Sequence, residues 1–306
     1  MGVKLWYNRG MTYSVKDRYK KWDRPWCWQY DIKRNIAENL DIPDKELASL
    51  KTGDFKFSFV DKKDKENCQR VNEFIKHYEW LGKMPVWVTH RFIAEYKENL
   101  GGVVVMATPN AFSKMLGENT KDMEKLIARG ASAGWTPKNM ASWQIMQSIR
   151  YMAKNSTFKL FIAYSDPLAK ELGTVYQACN FYYLGQKYGG GNVYFDPQNP
   201  DVGWVGSYYF NYRSAYVRYA KELGIEWLPK WYTAKRKINR KTIPADILDR
   251  LKQVAKEKMA QCDVIKTPKK HKYAYILGKD KRETKKLRRK FEEINSKIIQ
   301  DYPKNR

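Results

Sequence analysis

A run of apolar residues, FIAY, ends at Ser165-Asp166, and Pro167 comes next. A strand that stops on an aspartate sets a carboxylate at the carboxyl edge of a sheet, where open α/β sheets bind ligands. Asp166 could hold an amino group there or take its proton. It could equally cap the next helix. Tyr164, Tyr176, Gln177 and Asn180 add polar groups behind it, and Tyr176 and Asn180 stand four apart, on one face of a helix. A tyrosine so placed can give a proton to a departing thiolate, or serve as a core ring with its hydroxyl satisfied. A second candidate lies at TPKNMAS, residues 136–142. The free N–H groups and dipole of a helix N-terminus favour an anion, so Lys138 and Asn139 are expected as phosphate contacts and Ser142 on the first turn. Arg129 precedes this loop with the small residues Gly130 to Gly134. An ordinary helix start with a solvent-facing serine fits the same residues.

These groups need a scaffold, and the periodicities supply one. DFKFSFVD alternates with period two and predicts a strand at 55–60. Val71, Phe74, Ile75 and Tyr78 recur at helical spacing and predict an amphipathic helix ended by Gly82. A hairpin is expected over 86–108 with its turn around Asn99–Gly102, then a short helical piece at AFSKMLG and a strand at EKLIARGASAGW. The next helix carries Pro137 in its first turn and Ile145, Ile149 and Met152 on one face. FKLFIAYSD reads as a strand, PLAKELGTVYQACN as a helix and FYYLGQ as a strand. Beyond the core, KYGGGNVYFDPQNPDVGWVG reads as a long loop or irregular hairpin, with two helices, a short basic strand at KHKYAYILGK and a charged terminal helix after it.

The formal net charge of the 306 residues is +25, which points to a polyanionic partner. From Val205 to Arg306 there are 28 Lys/Arg against 11 Asp/Glu, a net of +17. Arg213, Arg218, Lys221, Lys270, Lys272, Arg288 and Arg289 are the expected phosphate-backbone contacts. Near the start, Trp22, Trp26, Trp28 and Tyr30 lie among Lys and Arg, suited to base stacking or to capping a core. No apolar run approaches the ~18 residues that cross a bilayer, and no signal peptide is read, so a cytoplasmic protein and a nucleic acid rather than a membrane partner are expected. The four cysteines are scattered and the histidines number three, which argues against a metal site.

The element order matches the GNAT acyltransferase fold, in which a hairpin precedes a strand–loop–helix that receives the cofactor pyrophosphate. Within that order, PKNMAS and then YSDPLAKELGTVYQACNFYYLG resemble the Mom family of phage DNA-modification proteins. That family has a P-(K/R)-N-x-x-S loop and a block with D, then G-x-(I/V)-Y-(Q/K)-A-x-N-(F/W). His77-Tyr78 resembles its H-Y element, KHKYAYILGK its late strand and Tyr302-Pro303-Lys304 its closing Y-P-K. Ser165 stands where the family usually has Ala, and the first ~54 residues and those near 244–260 have no counterpart.

The resemblance implies an α/β (α+β) protein, a GNAT-like central mixed sheet with flanking helices plus a basic C-terminal extension. It implies transfer to the N6 amino group of adenine in double-stranded DNA, a carbamoylmethyl-type modification that shields phage DNA from restriction, in the host cytoplasm. An acetyl-CoA or related acyl donor is the expected cofactor. The implied site residues are His77, Ser142, Asp166, Tyr176 and Asn180, with Asn180 and Ser142 also beside the cofactor. Trp135, Tyr182 or Tyr183 could stack on a flipped base or be core rings. The expected divisions are 1–54, a basic aromatic extension; 55–200, the catalytic core; and 201–306, the nucleic-acid-contacting region. Two other readings fit: a GNAT N-acyltransferase acting on protein or small-molecule amines, and a non-catalytic DNA-binding phage protein.

Overall fold

The computed structural model describes residues 40–232 and 238–304. The aromatic cluster of Trp22, Trp26, Trp28 and Tyr30 lies outside them. In chain order the helices are α1 (Asp44–Ser49), α2 (Lys65–Tyr78), α3 (Met140–Asn155), α4 (Thr174–Ala178), α5 (Tyr208–Asn211), α6 (Arg213–Glu222), α7 (Ala245–Ala260) and α8 (Lys281–Asn295). The strands are β1 (Lys56–Val60), β2 (Val88–Tyr96), β3 (Asn99–Ala107), β4 (Glu124–Ser132), β5 (Leu160–Ser165), β6 (Tyr182–Gly189), β7 (Asn192–Phe195), β8 (Val205–Gly206), β9 (Asp263–Lys266) and β10 (Lys269–Ile276).

Two compact units result. The first takes the described residues up to 188 together with 269–304, and the second takes 189–268. In the first, a seven-stranded sheet runs β1-β2-β3-β4-β5-β10-β6. The β1–β2, β2–β3, β3–β4 and β5–β10 pairs are antiparallel and β4–β5 is parallel. The expected mixed sheet with flanking helices is therefore present. The chain leaves it after β6 and returns 80 residues later to lay β10 between β5 and β6. The basic C-terminal third is thus shared between both units.

α2 forms where its periodicity predicts, and Val71, Phe74, Ile75 and Tyr78 are all buried. Burying such side chains contributes roughly 1.5–3 kcal/mol each. Asp64 caps its start by accepting from the Asn67 N–H at 3.0 Å. α3 buries Ile145, Ile149 and Met152 as expected. It begins at Met140, however, because TPKN makes a turn in which the Met140 N–H donates to the Pro137 carbonyl.

The β2–β3 turn differs from expectation. Its two central residues are Lys97 and Glu98, both left-handed at φ 46° and 66°, the geometry that matches strand twist in two-residue hairpins. Gly101 and Gly102 sit inside β3 instead. A Cβ on Gly102 would stand 2.1 Å from Gln144 Oε1. The Gln144 amide donates to Ala131 O at 2.9 Å and Val103 O at 3.4 Å, pinning α3 to β3 and β4. These glycines serve close approach rather than a turn. AFSKMLG forms no helix.

The second unit pairs β7 with β8 and β9 and packs α5, α6 and α7 around Phe210, Tyr216, Tyr219, Leu251 and Ala255. No helix of the described residues is long and apolar enough to cross a membrane.

Candidate active site at the carboxyl edge of β4 and β5

β4 and β5 pair in parallel only from Glu124–Ile127 against Leu160–Ala163. β4 then continues with β3 to Ser132, while β5 continues with β10 until Ser165 faces His271. Each strand has another partner, so no ladder joins their carboxyl ends. The 133–139 loop into α3 leaves one of these ends and the Asp166 turn leaves the other, so both lie at the same edge of the sheet.

Asp166 is 8% exposed. Its Oδ1 accepts the Leu168 N–H at 3.0 Å, so the cap expected of a helix start is present. Its Oδ2 lies 2.9 Å from Lys270 Nζ. Residues 167–180 do not form one helix. A 3-10 turn at Pro167–Ala169 ends on Lys170 in the left-handed region, and α4 starts afresh after Gly173 at φ 70°. A Cβ on Gly173 would approach Tyr273 Cε2 to 2.4 Å, so glycine is required for both conformation and space.

That break brings Glu171 back onto the strand end, where its Oε2 accepts the Asp166 N–H at 3.4 Å. Burial first, then the charge of Glu79, raises the Glu171 carboxyl to about 8. Glu79 is itself buried and accepts the N–H groups of Leu81 and Gly82 at 2.9 and 3.0 Å. Tyr176 packs on Phe181 and Tyr273 at 5.2 and 5.3 Å between centroids. Burial and then Glu171 push its phenol upward, so it stays protonated at neutral pH. Its hydroxyl donates to no protein acceptor among the described residues. The Tyr273 hydroxyl, in contrast, donates to the Leu172 carbonyl, and burial raises it to about 12.

At the α3 end, the N–H groups of Lys138, Asn139, Ala141 and Ser142 donate to no protein acceptor among the described residues. Lys138 and Asn139 are exposed beside them. This donor set suits an anion. The Ser142 hydroxyl turns back to Asn139 O at 2.9 Å.

The other expected residues are dispersed. Arg129 is inside β4; its guanidinium donates to Lys83 O at 2.8 Å and Ala128 O at 2.6 Å and lies 3.9 Å from Glu79, so its donors are turned to the protein rather than to a phosphate. His77 occupies the last turn of α2, two residues before Glu79, with burial lowering its pKa. Asn180 does not share a helical face with Tyr176: α4 ends at Ala178, and Asn180 is left-handed at φ 59°. Arg218 and Lys221 are exposed on α6, where Arg213 is the first residue. Lys270 faces Asp166, within the cluster. Lys272 is 3% exposed on a central strand and cannot reach a phosphate backbone. Arg288 donates to Ile276 O at 3.2 Å, and Arg289 is exposed. Trp135, Tyr182 and Tyr183 are held by Phe55, Phe291 and His271 respectively, as core rings.

Glu171, Glu79 and the buried Tyr183–His271 pair, 2.8 Å apart, escaped the sequence reading. Glu171 carried one available signal: Gly173 two residues later marks a break that turns the chain back. Glu79 and His271 carried none, since Glu79 comes near Glu171 from the C-terminal end of α2 and His271 comes opposite Ser165 only through sheet order. Among the described residues no His/Cys/Asp/Glu group is arranged to hold a metal ion.

Residues 63–196 match the model of the Mom protein family, so the resemblance in the motifs extends over this segment, somewhat less than half the chain. No curated protein matches. Similar solved structures include a putative acetyltransferase from Salmonella typhimurium with its cofactor acetyl-CoA, at 10% identity over 44% of this chain and 82% of that one, TM-score 0.31. An N-acetyltransferase from Staphylococcus aureus Mu50 has 14% identity over 44% and 86%, TM-score 0.31. A GNAT family acetyltransferase from Elizabethkingia anophelis with acetyl-CoA bound has 10% identity over 73% and 99%, TM-score 0.31. The fold is defined by its strand order and the parallel β4–β5 pair, independently of these likenesses.

Proposed function

We propose that this protein is a Mom-like DNA-modifying transferase that acts on the N6 amino group of adenine and so protects phage DNA from host restriction. The family match over 63–196 supports the class. The observation that carries the reading is Asp166, buried at the parting of β4 and β5 with Lys270 against one oxygen and Glu171 behind it.

The exocyclic amine of adenine is conjugated and a poor nucleophile, so its proton must leave as the new bond forms. Asp166 would accept it. Lys270 and the Leu168 N–H hold the carboxylate in one orientation. Glu171, with its carboxyl raised to about 8, can retain a proton beside it. Tyr176, protonated and without a protein acceptor among the described residues, would give a proton to the leaving group. An acetyl-CoA-type donor fits the open N–H groups at the start of α3 with Lys138 and Asn139. When bound, it supplies an activated acyl carbon. Reaching N6 inside a duplex requires taking the base out of the stack, at a cost of a few kcal/mol.

The test is nucleoside mass spectrometry of DNA from cells expressing the chain. A mass increase on deoxyadenosine, absent with Asp166→Asn, is expected. Unmodified deoxyadenosine alongside acylated protein or small amines would replace this reading with a GNAT N-acyltransferase.

A further inference from the structure

The molecule carries a second charged feature, remote from the Asp166 cluster. β10 ends at Ile276 opposite Leu160, the first residue of β5, and the Leu277 N–H donates to Lys159 O. The turn after β10 therefore lies at the opposite edge of the sheet from Asp166. β5 has six residues, so the separation is about 17–20 Å at ~3.3 Å per residue. There α3, this turn and α8 enclose a groove of about 800 Å³. Arg150 and Lys154 line it from α3, Lys279 from the turn, and Lys281, Lys285 and Arg289 from α8. All six are exposed.

None of these six cations has a carboxylate within ion-pair distance among the described residues. The two acids of the lining are already engaged: Asp280 caps α8 by accepting the Glu283 N–H at 2.8 Å, and Glu292 accepts the Tyr182 hydroxyl. Arg288, also in the lining, is tied to Ile276 O. The lining still holds seven Lys/Arg against these two acids, an excess of like charge that repels in the free protein and that a polyanion relieves. Lys281, Lys285 and Arg289 fall at i, i+4 and i+8, one stripe about 12 Å long at ~1.5 Å per residue. That length matches three to four phosphates of one strand at ~3.4 Å of duplex axis each. No exposed aromatic or aliphatic side chain lines the groove, so it lacks the apolar anchors of a membrane face.

We propose that this groove binds the phosphodiester backbone of duplex DNA at a site distinct from the one that receives the base. Only the choice of DNA as the polyanion rests on the function proposed above. The groove positions the duplex without reading its sequence, because lysine and arginine on phosphates carry no base information.

The test uses the full chain and a fluorescein-labelled 24-base-pair DNA duplex, with anisotropy titrations across a salt series. The triple variant Lys154→Ala/Lys285→Ala/Arg289→Ala is expected to weaken binding at least tenfold near 0.1 M salt. The slope of log K against log salt is expected to fall by about 3, near 0.9 for each lost phosphate contact. The charge-keeping triple Lys154→Arg/Lys285→Arg/Arg289→Lys retains both values. Unchanged affinity and slope in the alanine triple, equal loss in the charge-keeping triple, or no duplex binding by the wild type overturns the proposal. So does a loss confined to phosphatidylserine vesicles. A matching slope change with duplex RNA supports backbone binding. A slope change without any modified nucleoside leaves the groove standing and removes the DNA-modification reading; modification with an unchanged slope does the reverse.

Discussion

Glu171→Gln tests the packing of the cluster most directly. In the folded protein the Glu171 carboxyl is raised from 4.5 to about 8, by burial first and then by Glu79. Between those values the folded chain holds a proton that the unfolded chain has released. The stability this proton contributes is complete below pH 4.5 and is lost as pH rises toward 8. At about 1.4 kcal/mol per pH unit, the interval corresponds to at most about 5 kcal/mol. Residual exposure of Glu171 and the nearby Lys270 ammonium screen the charge, so an effect of about 2 kcal/mol is expected. Glutamine keeps the shape and an acceptor for the Asp166 N–H but cannot ionise. The variant should therefore match wild type near pH 4.5 and exceed it at pH 8 by roughly 4–8 °C in Tm, at ~2–4 °C per kcal/mol for a unit of this size. Thermal melts monitored by near-ultraviolet circular dichroism at half-unit pH steps make the comparison. If wild type and variant keep parallel pH profiles from 4.5 to 8, Glu171 is ionised throughout and is not buried against Asp166 and Glu79.

Tyr176→Phe should lower modification of DNA by ten- to a hundredfold while moving Tm by less than ~0.5 kcal/mol equivalent, since its hydroxyl has no protein acceptor; paired melts and nucleoside counts check this. Gly173→Ala combines a left-handed backbone with a 2.4 Å approach to Tyr273 and should cost about 2–4 kcal/mol by urea denaturation. Lys125 is buried, donates to the Thr89 hydroxyl at 3.2 Å and is lowered by burial to about 8. The unfolded chain holds that proton up to about 10.5, so wild-type stability should rise from pH 8 to 10.5, and Lys125→Met should remove that rise, read as Tm against pH.

Local signals settled much of the scaffold. Side-chain period alone decides which face of α2 or α3 can be apolar, and those faces are the buried ones. Asp166 was legible for a similar reason, because a strand stopping on an acid before proline is a short-range pattern. The placement of glycine shows the limit. Gly101 and Gly102 look like turn residues, and only the arrival of Gln144 from α3 explains why they belong inside a strand.

The sequence by itself determined the mixed α/β character, the amphipathic helices, the excess of basic charge and the aspartate at the end of β5, since each depends on neighbours within a few residues. Tertiary structure decided the rest. β10 enters the sheet between β5 and β6 from 80 residues away, and that one pairing carries Lys270 to Asp166, buries Lys272 and turns Lys279 toward α3 and α8. Lysines close together in the sequence thereby acquire unlike roles, because alternation along a strand and the partner across it, not residue type, determine whether a cation meets an acid, the core or solvent.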